Sequence, residues 1–178
     1  MIAECLIFLA TVLPNGMNET HMIEQHRSCD KNVPQSMQQY AEHYVEFFEE
    51  ENIPVAVRIG WCESRGREAV VRKDNKDSGL MQFVSWTWNW VAEKYDMPMW
   101  NSYQVMYNDK PYTEEKVSLT SAGFSMQKAQ LTAYYNIKMA SHLAEDIYGK
   151  TQWNDWSSSK WCWGNEKKWR QLWKSEEG

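Results

Sequence analysis

One carboxylate stands at the end of an apolar run. Glu63 directly follows Val55-Ala56-Val57-Arg58-Ile59-Gly60-Trp61-Cys62, in which Arg58 is the other charged side chain. An anion at this place is disfavoured twice, because burial against Trp61 strips its water and a helix ending here adds partial negative charge. Both effects raise the pKa expected for Glu63. A carboxylic acid still protonated near neutral pH is what acid-catalysed cleavage of a glycosidic bond requires, since the leaving oxygen must receive a proton as the bond breaks. The competing role is a structural ion pair with Arg58, Arg65 or Arg67, which by chemistry alone is the commoner one.

The reaction such an acid supports depends on a second carboxylate. Inversion needs a base about 6.5–9.5 Å away to activate water, and retention needs a nucleophile at about 5–5.5 Å. Asp74 and Asp77, eleven and fourteen residues beyond Glu63, are the candidates. Their surroundings are rich in Lys and Arg, and a solvated turn is the ordinary place for them. Cys62 with His43 or His142 would make a thiol hydrolase, but the neighbouring Glu63 disfavours a thiolate. Cys29 lies near His21 and His26 without a second Cys at a zinc spacing, so no metal site and no cofactor is expected.

The elements that position these residues read as mainly α. Pro54 suits a first helical turn, so a buried helix is expected from there to near Gly66. Residues 67–79 are polar, with turn signals at Asp74-Asn75 and Asp77-Ser78-Gly79, and a surface loop is expected. Ser85 can cap a helix over 86–95 whose Trp86 and Trp90 share one face. Residues 96–122 read as an irregular insertion, and long insertions of this kind are often functional. Met126, Ala129, Ala133, Ile137, Ala140, Ala144 and Ile147 mark a long helix with one buried face, ended by Gly149. Upstream, Met37, Tyr40, Ala41, Tyr44, Val45 and Phe48 predict an amphipathic helix over roughly 34–51, and residues 14–32 read as a linker. No segment alternates as a strand.

At 178 residues the chain has the length of one domain. Only 31 residues are Leu, Ile, Val or Phe, but 30 are Trp, Tyr or Met, which favours a folded, aromatic-rich body over disorder. The net charge of −5 argues against nucleic acid or an anionic membrane as principal partner. Leu6 to Leu13 is far shorter than the ~20 residues that span a bilayer, so no integral membrane association is expected. That stretch reads equally as a secretory signal or as a short buried element. The four cysteines allow three complete pairings, and Asn18-Glu19-Thr20 fits a glycosylation sequon.

Trp61-Cys62-Glu63-Ser64-Arg65, then Ser78-Gly79-Leu80-Met81-Gln82-Phe83, then Thr87-Trp88, in this order and with Gly79 sixteen residues after Glu63, resembles the lysozyme-like superfamily. That group contains lytic transglycosylases, goose-type lysozymes and the catalytic domains of resuscitation-promoting factors. The helical stretch Gln127 to Ala140, Tyr148-Gly149, Trp153, Trp156 and Cys162-Trp163 is similar to the close of its secreted members. The resemblance covers roughly residues 53–95 and 123–164.

The resemblance implies a lysozyme-like, transglycosylase-type single domain over 33–178 with a catalytic Glu at a helix end, preceded by a signal or linker over 1–32. It implies Glu63 as general acid and then base. It assigns Ser78, Gly79 and Gln82 to the lining of a sugar cleft, with Trp88 as its aromatic, and Trp61, Trp86, Trp156 and Trp163 are further rings that could cover sugar faces. A Cys62–Cys162 disulfide belongs to the same pattern. The implied partner is the glycan of peptidoglycan, cut between N-acetylmuramic acid and N-acetylglucosamine by a monomer outside the cytoplasm, secreted or carried by a virion. If neither Asp74 nor Asp77 faces the cleft, the muramoyl C6 hydroxyl attacks internally and gives a 1,6-anhydro product. Hydrolysis of goose-type character and an inactive peptidoglycan-binding module are the alternatives. Two features depart from the pattern. Ala133-Tyr134-Tyr135-Asn136-Ile137 only partly echoes the family's Ala-Tyr-Asn-Ala-Gly, and the net negative charge is unusual for a protein acting on an anionic wall.

Overall fold

Helices dominate the structure, a computed structural model that describes residues 1–11, 19–72, 77–100, 106–107, 110–111, 116–118 and 129–177. The chain divides into two compact units, one formed by residues 1–62 and 155–178 and the other by residues 63–154.

The first unit holds α1 (Ile2–Ala10), α2 (Glu19–Asn32), α3 (Gln35–Gln38), α4 (Ala41–Phe47), most of α5 (Ile53–Ser64), α8 (Lys160–Trp163) and α9 (Glu166–Glu177). α1 packs on α2 and α4, and Ile2, Leu6, Met37, Tyr44, Ile53, Trp61, Trp169 and Trp173 are buried in this unit. Trp61 meets Trp169 edge to face at 6.3 Å, and Trp169 meets Trp173 at 6.0 Å. Residues 19–32, expected within a linker, are helical. Among the described side chains their inward positions are Met22, Gln25, Cys29 and Asn32, a helix-spaced stripe that is half polar. Cys29 is bonded to Cys5 of α1, and that crosslink ties the helix to α1. The helix expected over 34–51 is two helices, broken at Tyr40, whose ψ of 12° leaves the helical range.

α5 follows the expectation closely, with Pro54 in its first turn. Its Arg58 guanidinium donates from Nε to the Trp163 carbonyl at 3.0 Å and from Nη1 to Glu166 at 3.5 Å. Burial lowers the Arg58 pKa, and the Glu166 carboxylate opposes that shift. Cys62, near the end of the helix, is bonded to Cys162 of α8, with Cα atoms 6.0 Å apart.

The second unit carries a small antiparallel sheet in the order β3-β2-β1-β6, built from β1 (Val70–Arg72), β2 (Asp77–Ser78), β3 (Phe83–Val84) and β6 (Lys116–Ser118). A separate hairpin pairs β4 (Met106–Tyr107) with β5 (Lys110–Pro111). The loop expected over 67–79 therefore contains two strands, and the segment 96–122 contributes β6 to the sheet. Most of that segment lies outside the described residues. These strands are two or three residues long, too short to show alternation. α6 (Ser85–Tyr95) follows β3 without a break, with Val84 rather than Ser85 at its N-cap. The long helix expected to end at Gly149 is a 3₁₀ turn at Ala129–Leu131, α7 (Ala133–Ser141) and a π-helical turn at His142–Asp146; Gly149 has a φ of +66°. Met126 lies outside the described residues.

Candidate active site

Glu63 occupies the last turn of α5, half-buried, immediately after the bridged Cys62. Arg65 and Gly66 end the helix with φ of 58° and 72°. Consecutive left-handed residues turn the chain sharply and close the helix behind the carboxylate. Of the three arginines named as alternative ion-pair partners of Glu63, Arg58 and Arg67 make the following contacts. Arg58 binds Trp163 and Glu166, and Arg67 donates from Nε to the Ser64 carbonyl at 2.9 Å.

The turn that follows β2 is held by Asn136 of α7. Gly79 has a φ of +85° and its amide donates to the Val70 carbonyl at 2.7 Å. A β-carbon there would lie 2.1 Å from Asn136 Nδ2 and 2.3 Å from the Gln130 carbonyl oxygen, so both conformation and space demand glycine. Asn136 accepts from the Met81 amide at 3.0 Å and donates to the Gln130 carbonyl at 2.6 Å. The partial Ala-Tyr-Tyr-Asn echo thus contains a residue that shapes the Gly79-Leu80-Met81-Gln82 turn. Gln82 takes a left-handed φ of 51° and donates from Nε2 to the carbonyls of Gly79 at 2.8 Å and Val70 at 3.0 Å. Glu68 accepts from the Ala133 amide at 3.0 Å and so caps the first turn of α7.

Ser78 and Trp88, expected to line a cleft, are fully buried. The Trp88 indole donates to the Pro98 carbonyl at 2.7 Å and meets Phe83 edge to face at 5.6 Å, as a core tryptophan would. Trp61, Trp156 and Trp163 are buried too, and the Trp163 indole donates to the Trp156 carbonyl. Of the rings named for sugar stacking, Trp86 alone is open, 69% exposed. Trp90, one turn further along α6, is 41% exposed and its ring lies 6.0 Å from that of Tyr148, itself 48% exposed. This aromatic row was visible in the spacing of Trp86 and Trp90, whereas Tyr148 joins it only through the tertiary fold.

Asp77 lies in β2, opposite Val84, and Asp74 lies outside the described residues. At the far end of α6 the Tyr95 ring stacks on His142 at 4.0 Å, and His142 Nδ1 lies 2.7 Å from Asp146. Burial, helped by Asp146, raises the Tyr95 pKa. Cys62 has no thiolate to offer while bridged, which removes the thiol-hydrolase alternative with His43 or His142. Among the described residues no cluster of His, Cys, Asp or Glu could hold a metal ion, and no helix is long and apolar enough to cross a membrane.

No protein-family model matches the chain, and it matches no curated protein and no solved structure. What supports a function is therefore the chain's own residues: a helix-end carboxylate, a glycine turn locked by Asn136 and an exposed aromatic row.

Proposed function

We propose that the protein is a lysozyme-like glycosidase that cleaves the β-1,4 bond between N-acetylmuramic acid and N-acetylglucosamine in peptidoglycan, with Glu63 as its acid and base. The observation that carries this reading is the placement of Glu63, half-buried at the left-handed end of α5 and adjacent to the bridged Cys62. A carboxyl group at such a place is suited to carry the proton that must pass to the leaving oxygen.

In the reaction the Glu63 proton passes to the glycosidic oxygen as its bond to C1 of the muramoyl residue breaks. The resulting carboxylate then removes the proton of the C6 hydroxyl, whose oxygen closes on C1 to give a 1,6-anhydro ring. One carboxyl group suffices and no water is consumed, so this route fits a site in which Asp77 belongs to a strand and Glu68 caps a helix. The exposed row of Trp86, Trp90 and Tyr148 supports binding of sugar faces in the unit that carries Glu63. Two disulfides are compatible with a protein that works outside the cytoplasm, and we place this one there, as a monomer acting on glycan strands, secreted or carried by a virion.

The test is digestion of purified peptidoglycan by the native protein and by Glu63→Gln, with mass spectrometry of the soluble muropeptides. Anhydro-muramoyl ends from the native protein and none from the variant are expected. Reducing ends would make the protein a hydrolase of goose-type character, and no release from a folded, disulfide-intact protein would leave a binding module.

A further inference from the structure

Residues 160–174 hold five of the chain's 19 cations and one of its 24 acids, a charge of +4 in a chain whose remaining residues sum to −9. Part of that charge lies together: Lys167, Arg170 and Lys174 line one cleft beside Glu166, while Glu176 and Glu177 close the same helix. α9 turns Trp169 and Trp173 into the core and leaves Lys167, Lys168, Gln171 and Lys174 exposed. The segment's single acid, Glu166, is bracketed by Arg170 at 2.8 Å and Arg58 at 3.5 Å. Among the described residues Lys160, Lys167, Lys168 and Lys174 make no ion pair. An open cleft of about 470 Å³ runs along α9, lined among the described residues by Glu166, Lys167, Arg170, Gln171 and Lys174. In the same segment Trp161 is 60% exposed, with Lys168 Nζ 5.4 Å from its ring centroid.

We propose that this basic face binds a carboxylate-bearing glycan strand and so holds the protein on its polymer. An exposed ring beside an ammonium group suits a sugar whose ring face is apolar and whose substituent is an anion. A basic amphipathic helix more often lies on a membrane, but here the apolar side of α9 is spent in the core and cannot enter lipid. The strong negative balance elsewhere repels a long polyanion, which confines attraction to this face and orients the encounter. The choice of glycan over another polyanion rests on the peptidoglycan reading above; the basic face itself does not.

The experiment sediments full-length Glu63→Gln protein with purified peptidoglycan freed of phosphate polymers, so that binding is read without cleavage. The added changes Lys167→Gln, Lys168→Gln and Lys174→Gln should raise Kd about tenfold at low salt and flatten its salt dependence, because exposed charges act over about one Debye length. Trp161→Ala should weaken binding about threefold, with the circular dichroism spectrum unchanged, since one exposed ring carries only part of such a contact. Unaltered sedimentation of the triple-lysine variant would overturn the proposal. So would tighter binding to phosphatidylglycerol vesicles or duplex DNA than to peptidoglycan, or binding that appears only when phosphate polymers are retained. Muropeptide release decides the role of Glu63 separately: a protein that releases nothing can still sediment through its lysines, and one that cuts normally can still lack this face.

Discussion

Asn136 stands so close to Gly79 that no other residue type fits the turn at position 79, and the same side chain accepts the Met81 amide. One residue of α7 thereby fixes the backbone of a turn that lies 55 positions earlier in the chain.

Replacing either partner should loosen that turn. Gly79→Ala combines a left-handed backbone penalty with a clash against Asn136 and the Gln130 carbonyl, and should cost about 2–5 kcal/mol. Asn136→Ala strands a buried donor and should cost about 1–3 kcal/mol. Urea unfolding midpoints of the two variants check both values, and a loss below half a kcal/mol for Gly79→Ala would contradict the close approach.

The Cys62–Cys162 bridge spans 100 residues, so the chain-entropy account gives it up to about 4.7 kcal/mol. The double variant Cys62→Ser/Cys162→Ser should unfold at a clearly lower urea concentration than the native protein. Peptide mapping without reduction should recover Cys62 linked to Cys162 and Cys5 linked to Cys29.

The two tryptophans Trp86 and Trp88 should behave in opposite ways. Trp88→Ala removes a fully buried ring and should cost about 3–5 kcal/mol. Trp86→Ala should change stability by no more than about 0.5 kcal/mol, because its ring is largely in solvent. If Trp86 meets sugar, the same variant raises KM on peptidoglycan fragments while kcat holds. An unchanged KM would leave the aromatic row without that role.

Alkaline pH should destabilise the unit that contains Tyr44. Burial raises the Tyr44 pKa well above its ordinary value of 10.0, so the neutral phenol is favoured in the folded state. The unfolded chain releases this proton as pH passes through the ordinary value while the folded chain retains it, so stability is full below that value and falls above it. Denaturant midpoints followed from neutral to strongly alkaline pH should drop less for Tyr44→Phe than for the native protein.

How far these features were legible depended on the length scale of the signal. α5 and α6 could be read because Pro54, the apolar run and the Trp86 to Trp90 spacing are local. α2 could not, since its inward stripe is Met, Gln, Cys and Asn and its anchor is a sulfur bond to a distant helix. The sheet was hidden by strands of two or three residues, one of them drawn from the 96–122 segment. At the candidate site Glu63 was legible from its contrast with the apolar residues before it. The buried fate of Trp88 was not, because pattern alone gives a sugar-facing ring and a core ring the same appearance. Asn136 shows in the sequence only as part of an imperfect motif, and its grip on Gly79 emerges from the fold.

The arrangement of the chain also bears on how it responds to a protease. The unit at 63–154 is spliced into the other, and the bond between Cys62 and Cys162 ties its two stems just outside the splice. A protease that cuts once within that stretch opens a loop without releasing a fragment, because both ends stay covalently moored. Nicked molecules would migrate as one species until reduced, and the half bearing Glu63 would not drift away from the half bearing α9.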